Sequence, residues 1–232
     1  MRFDTIRISA YLVYMLQGQR PRLEVIVDGG DILHVRMSDG SEIMIYLIES
    51  DITDYQIKNI VNENSARRIY SLFILWCDLL LPRDGMYYIP HDWMSLLLTM
   101  HDDKIYAFDA FAADVFIFPI FFDGVGVARD IRHGGLIDAQ FLNVKRIKTP
   151  FSPDDWYVAN FDIAAAPSNP LSPYFDVLGI NPTTDRELIK RAYRFAARKY
   201  HPDVNATEES THKMQQINEA YTRILHVLDQ HE

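Results

Sequence analysis

The residues of this 232-residue chain whose types and spacing point to a task stand together near its C-terminal end. Lys199-Tyr200-His201-Pro202-Asp203 is a basic helix end running into a His-Pro-Asp turn. Upstream, Lys190, Arg194 and Arg198 recur every fourth residue, flanked by Arg191 and Lys199. On a helix that spacing stacks cations along one side. A row of cations steers encounter with an acidic partner surface. Pro202 narrows the freedom of the turn, and Asp203 puts a carboxylate beside it.

The rest of the chain offers less. His34, His91, His101 and His133 are scattered, with no i, i+4 or short-loop pair of the kind that holds a metal, and Cys77 stands alone in an apolar run. No metal or cofactor is expected. Asp28-Gly29-Gly30-Asp31 is a turn, because neither GK[ST] nor GxGxxG follows it. Glu42, Glu49 and Asp51 bracket one strand pattern, and Asp102-Asp103-Lys104 precedes another. A metal-dependent nuclease would group acids and a lysine at a sheet edge. No acid-x-lysine pair stands on the strand that would need it, so these read as solvated strand ends. Tyr106, Phe108, Phe111, Phe116, Phe118, Phe121 and Phe122 read as core at strand spacing, with a groove for an apolar peptide as their other use.

Bulk properties fit a soluble globular protein of one or two domains: 48% hydrophobic, 24% charged, net charge −9. That charge argues against a nucleic-acid binder, which would carry a basic face. It is unevenly placed: residues 1–170 hold 15 basic and 23 acidic residues, and residues 171–232 hold 8 and 9. Met1-Arg2-Phe3-Asp4 is broken by charge and does not read as a signal peptide. The apolar runs at 69–81 and 115–122 fall short of the roughly 20 residues that span a bilayer. No membrane partner is expected, and a reducing cytoplasm is the simplest compartment for a lone cysteine.

Residues 3–14 alternate well enough for a strand. Segments 23–27, 32–37 and 43–48 read as strands, the last two joined by the tight turn Ser38-Asp39-Gly40-Ser41. Residues 51–62 have helical spacing. A second helix is expected over about 64–80, stopped by Pro82, and a shorter one from Pro90-His91-Asp92-Trp93 to about Met100. Strand patterns return at 104–108 and at 114–122, the latter closed by an Asp123-Gly124 turn. Weaker ones stand at 127–131 and 140–147, then a looser run over 150–161. The order predicts an α+β domain with a mostly antiparallel sheet and packed helices over residues 1–162. A Pro/Ala linker is expected over 163–172, where three prolines stand among small residues within 163–173.

The last sixty residues agree with one another. Tyr174–Leu178 forms a short helix ended by Gly179. Thr184-Asp185-Arg186-Glu187 has the spacing of a capping box that opens a helix over about 185–200. That helix carries Ile189, Ala192, Tyr193, Ala196 and Tyr200 on one stripe, and Pro202 stops it. A third helix over about 208–228 offers Met214, Ile217, Ala220, Tyr221, Ile224 and Leu228. The expectation is a small all-α unit over 173–232, an antiparallel helical hairpin with facing stripes.

With those pieces assembled, residues 173–228 resemble a J domain of the DnaJ family of co-chaperones. The resemblance rests on Tyr174-x-x-x-Leu178-Gly179, Ala192-Tyr193-Arg194, Lys199-Tyr200-His201-Pro202-Asp203 and Ile217-Asn218-Glu219-Ala220-Tyr221. It implies stimulation of ATP hydrolysis by a DnaK-type heat-shock chaperone, and no enzymatic activity of the chain's own. Carried over, it makes His201, Pro202 and Asp203 the trigger. Lys190, Tyr193 and Arg194 become the docking face, with Arg191 as an extra contact. Phe195 stands where the family commonly has a basic residue, and Ala196 where it commonly has a core leucine. The 232 residues hold neither a glycine/phenylalanine-rich region nor CxxCxGxG repeats, so the general DnaJ architecture is not expected. Residues 1–162 are then expected to bind a client or partner. A nuclease-like or other enzyme in that domain is one rival reading, and a degenerate J domain serving only as an interaction hairpin is another.

Overall fold

A computed structural model describes residues 4–19, 21–80, 91–111, 114–123, 130–162, 171–180, 182–201 and 208–229. The chain separates into two compact units. One comprises residues 1–133 and 138–162, the other residues 134–137 and 163–232.

The first unit opens with helix α1, Asp4–Gln17, where alternation in the sequence suggested a strand. The helical reading lay in Ile8, Leu12 and Leu16, spaced by four and fully buried. Burying them on one side outweighs a weak period-two pattern. Three strands follow: β1 (Leu23–Asp28), β2 (Ile32–Met37) and β3 (Glu42–Ile48). They form the expected antiparallel meander. The β2–β3 turn needs its glycine: Gly40 sits at φ 86° and donates its amide to the Met37 carbonyl.

Helix α2 runs Asp54–Ala66, a few residues later than the spacing suggested. Thr53 and Gln56 cap it reciprocally: Thr53 Oγ1 accepts from the Gln56 amide, and the Thr53 amide donates to Gln56 Oε1. Arg68, in the left-handed region at φ 60°, turns the chain into β4, Ile69–Trp76. Here a helix over 64–80 was expected, and the structure corrects it. The five consecutive residues Ser71–Leu75 are buried. A strand buried on both faces has a continuous apolar run that periodicity cannot tell from a buried helix. The β-branched and aromatic content of Ile69-Tyr70-Ser71-Leu72-Phe73-Ile74 fits the strand. Pro82, the supposed stop, lies outside the described residues, as does Pro90.

Helix α3 (Asp92–Met100) leads into β5 (Lys104–Phe111), β6 (Asp114–Asp123) and β7 (Asp130–His133). Gly124 lies outside the described residues. Strands β8 (Leu142–Thr149) and β9 (Ser152–Phe161) complete the unit. The sequence left β9 as a loose run, because Pro153, Asp154 and Asp155 interrupt its alternation at one end. Trp156 and Val158–Phe161 are buried.

These nine strands make one sheet in the order β1-β2-β3-β4-β5-β6-β7, with β8 paired to β9. Its antiparallel pairings outnumber the parallel ones, as expected, but β4 at its centre runs parallel to β3, β5 and β9. Helices α2 and α3 are the crossovers that parallel pairing requires. Asn64 fixes α2 to the sheet by donating to Tyr46 Oη at 2.8 Å and Ser71 Oγ at 2.9 Å. Tyr46 stacks on Phe73 at 5.1 Å.

The second unit contains α4 (Ser172–Leu178), α5 (Arg186–Tyr200) and α6 (Glu208–Asp229). Helix α4 starts at Ser172, the last residue of the expected linker, and residues 163–170 of that linker lie outside the described set. Gly179 ends α4 at φ 68°, the left-handed cap the sequence suggested. The core joins Phe175, Leu178 and Ile180 to Ile189, Ala192 and Ala196 of α5 and Ile217, Ala220 and Ile224 of α6. Arg186, at the start of α5, pairs with Asp229, at the end of α6, at 2.7 Å, so the two helices run antiparallel.

Candidate functional site

The cation row begins where α5 is capped. Asp185, and not Thr184, is the N-cap: its Oδ1 accepts from the Glu187 amide at 2.9 Å and the Leu188 amide at 3.1 Å. A carboxylate satisfies those free amides and also faces the positive end of the helix dipole, which a threonine hydroxyl cannot match. Glu187 is therefore not needed to reach back. It accepts from Lys190 Nζ at 2.9 Å, and that bond holds its carboxyl below the usual range. Arg191 Nε donates to the Glu187 carbonyl at 3.3 Å.

Lys190, Arg194 and Arg198 are exposed and Arg191 is half-buried. At 3.6 residues per turn the three exposed cations fall within a sector of roughly 80°. The buried Ile189, Ala192 and Ala196 lie on the other side. Lys199 is not part of the row. It projects to the far side, with its Nζ 5.4 Å from the Tyr200 ring centroid. The Lys190–Glu187 pair is solvent-exposed, so a partner can take Lys190 over at small cost.

His201 closes the helix as its C-cap at φ −64° and ψ 132°, exposed. Extended geometry is what a residue before proline is driven to adopt. Pro202 and Asp203 lie outside the described residues. The structure thus brings Lys190, Arg191, Arg194 and His201 onto one helix and its end.

Tyr193 is placed differently from the other docking candidates. It is half-buried at the seam with α6, its ring 4.3 Å from that of Tyr221 at an interplanar angle of 25°. Its hydroxyl donates to Asn218 Oδ1 at 3.0 Å. Asn218 and Tyr221 both belong to Ile217–Tyr221, so that segment holds the recognition helix at a fixed rotation. In the sequence Tyr193 belongs to both the apolar stripe and the docking face, and no local pattern marks Asn218 as its acceptor. Nor does any mark the Arg186–Asp229 pair or the buried Leu188. Phe195 is half-buried beside the small Ala196.

In the first unit the titratable residues with the largest perturbation are sealed from solvent. His101 is fully buried, Nδ1 3.0 Å from Asn160 Oδ1, and its Nε2 has no partner. Burial pulls its pKa down to about 3, against the opposing Asn160 bond. Tyr106 donates to the Phe161 carbonyl at 3.1 Å, and burial pushes its phenol up. Lys104, nearly buried, is lowered for the same reason. This network ties α3, β5 and β9 together. Among the described residues no group of three or more His, Cys, Asp or Glu side chains is arranged to hold a metal. Cys77 is buried.

Concavities among the described residues of the first unit open to solvent. A polar one of about 830 Å³ lies between α2 and the start of β9. Two of its polar side chains are already engaged: Asn62 accepts from Trp156 Nε1 at 2.8 Å and Ser65 from the Tyr157 amide at 3.0 Å. The second, about 480 Å³, lies between the end of β3 and the first turns of α2, and it is floored by isoleucine and leucine.

Comparison with known proteins places residues 173–227 in the DnaJ domain family. A Pseudomonas putida curved DNA-binding protein is 50% identical over 48 residues, 21% of this chain and 15% of that protein. A chaperone protein DnaJ of Hydrogenobacter thermophilus is 41% identical over 63 residues, 27% of this chain and 17% of its own length. The DnaJ of Trichodesmium erythraeum is 50% identical over 48 residues, 21% and 13%. The chain therefore spans under a fifth of the length of these relatives. No solved structure matches it. Helices α4–α6 form a DnaJ domain, the part of the chain these relatives share. Among the described residues no helix is long and apolar enough to cross a membrane.

Proposed function

We propose that this chain is a cytoplasmic co-chaperone that stimulates ATP hydrolysis by a DnaK-type chaperone, while its N-terminal unit binds a client or partner protein. The carrying observation is the DnaJ domain at 173–227, with an exposed cation row on α5 leading to an exposed His201. In this reading His201, Pro202 and Asp203 form the trigger. Lys190, Arg191 and Arg194 supply the charge that docks an acidic chaperone surface. Tyr193 presents its exposed edge to the partner while its hydroxyl keeps α5 in register with α6.

The chain's own chemistry is not enzymatic in this account: the perturbed groups of the first unit are buried and serve packing. Some relatives are named for binding curved DNA, yet the match to them covers 48 residues. With a net charge of −9, we place no nucleic acid among the partners. Adding the protein to a DnaK-type chaperone preloaded with ATP tests the proposal. Hydrolysis accelerates with the unsubstituted chain and stays basal with His201→Gln; acceleration by neither or by both overturns it.

A further inference from the structure

The meander end of the first unit exposes apolar side chains where the sheet runs beyond α2. Strand β1 is the sheet's edge, paired among the described residues with β2 alone. An irregularity between Val25 and Val27 inserts Ile26 and spoils the alternation, leaving Ile26 37% and Val27 54% exposed. Val27 pairs with His34, so it shares a face with Ile32, two residues before His34 and 36% exposed. Ile32 pairs with Tyr46, and Tyr46 accepts from Asn64 of α2, so this face is the one α2 covers. The helix stops covering it before β2 and β1.

There the open groove of about 480 Å³ begins, a size typical of ligand clefts. Ile32, Ile48, Ile52 and Ile60 line it, Asp31 and Asp51 stand on its rim, and no lysine or arginine is among its lining residues. Both aspartates are exposed. The nearest α2 cation, Lys58, is engaged with Asp54 at 3.2 Å. Apolar floor and anionic rim together specify an occupant: apolar side chains flanked by positive charge. A wholly apolar occupant would leave the aspartates unused, and an acidic one would be repelled.

We infer that this groove, extended by Val27, docks an extended segment of a partner protein whose apolar residues are flanked by lysine or arginine. The inference rests on the reading that the N-terminal unit binds a client, and supplies that client's chemistry. Its apolar side chains displace water from Ile32, Ile48 and Ile60, while its cations sit against Asp31 and Asp51 at the rim. The apolar contact supplies affinity, and the charges supply selection and rate.

Fluorescence anisotropy on the full chain tests this with three labelled nonapeptides: a Leu/Val core flanked by lysines, the same core flanked by glutamates, and a Ser/Gly core flanked by lysines. The first binds, and each of the others binds at least about tenfold more weakly. Ile32→Asn and Asp51→Lys each weaken the first peptide by about tenfold, with thermal melts confirming that the variants are folded. Asp51→Lys also narrows the preference over the glutamate-flanked peptide. Equal binding of lysine- and glutamate-flanked peptides overturns the inference. Unchanged affinity in both folded variants also overturns it, while leaving a client site elsewhere on the unit. If no peptide binds, the inference is overturned and the client reading is left to a site elsewhere on the unit. ATPase stimulation by the unsubstituted chain without peptide reports separately on the DnaJ domain.

Discussion

Replacing His101 should alter how the first unit responds to acid, and the size of the effect follows from burial. Folded, His101 titrates near 3, whereas the free side chain titrates at 6.5. Between those values the unfolded chain binds a proton that the folded chain does not. Stability is therefore fully present above about pH 6.5 and falls as pH drops toward 3. Each pH unit in that window costs about 1.4 kcal/mol, or about 2 kcal/mol at pH 5 relative to pH 7. Burial is the main cause; Lys104 and Lys145 add to it, and the Asn160 bond and Asp102 oppose it. All three tryptophans, Trp76, Trp93 and Trp156, lie in the first unit, so tryptophan fluorescence follows its unfolding. Urea titrations of the wild type and of His101→Gln, at pH 7 and pH 5, isolate the histidine from the carboxylates common to both. The wild type should lose about 2 kcal/mol more than the variant over that interval. Equal losses would refute the assignment of His101 as a buried neutral side chain.

Further tests address the DnaJ domain. Tyr193→Phe keeps the stack on Tyr221 but removes the bond to Asn218, so the domain should lose about 1 kcal/mol of stability, read from far-UV circular dichroism melts. Arg194→Glu places an anion within the cation row. It should slow association with the chaperone, measured by stopped flow, and flatten the salt dependence of the association rate.

The DnaJ domain was legible because its signals are local. Gly179 ends one helix, Pro202 sets the extended geometry of His201, and the four-residue spacing of Lys190, Arg194 and Arg198 fixes a helix face. The cap was misplaced by one residue, since Thr184 and Asp185 are both good caps and only geometry chooses between them. In the first unit, β1, β2 and β3 were legible through alternation and the Asp39-Gly40 turn. Strand β4 was not, because burial on both faces erases alternation. Helix α1 was missed because its i, i+4 residues stand among other apolar ones. The sealed His101–Asn160 pair joins residues 59 apart, and the isoleucine groove joins residues 31–32 to the segment 46–60. Both depend on tertiary placement that no local pattern encodes.

The most direct test of the central claim is single-turnover ATP hydrolysis by a DnaK-type chaperone, with and without this protein. The account predicts acceleration by the wild type and its loss in a His201→Gln variant that melts at the wild-type temperature. A chaperone indifferent to the wild-type protein, or equally accelerated by the variant, would contradict it.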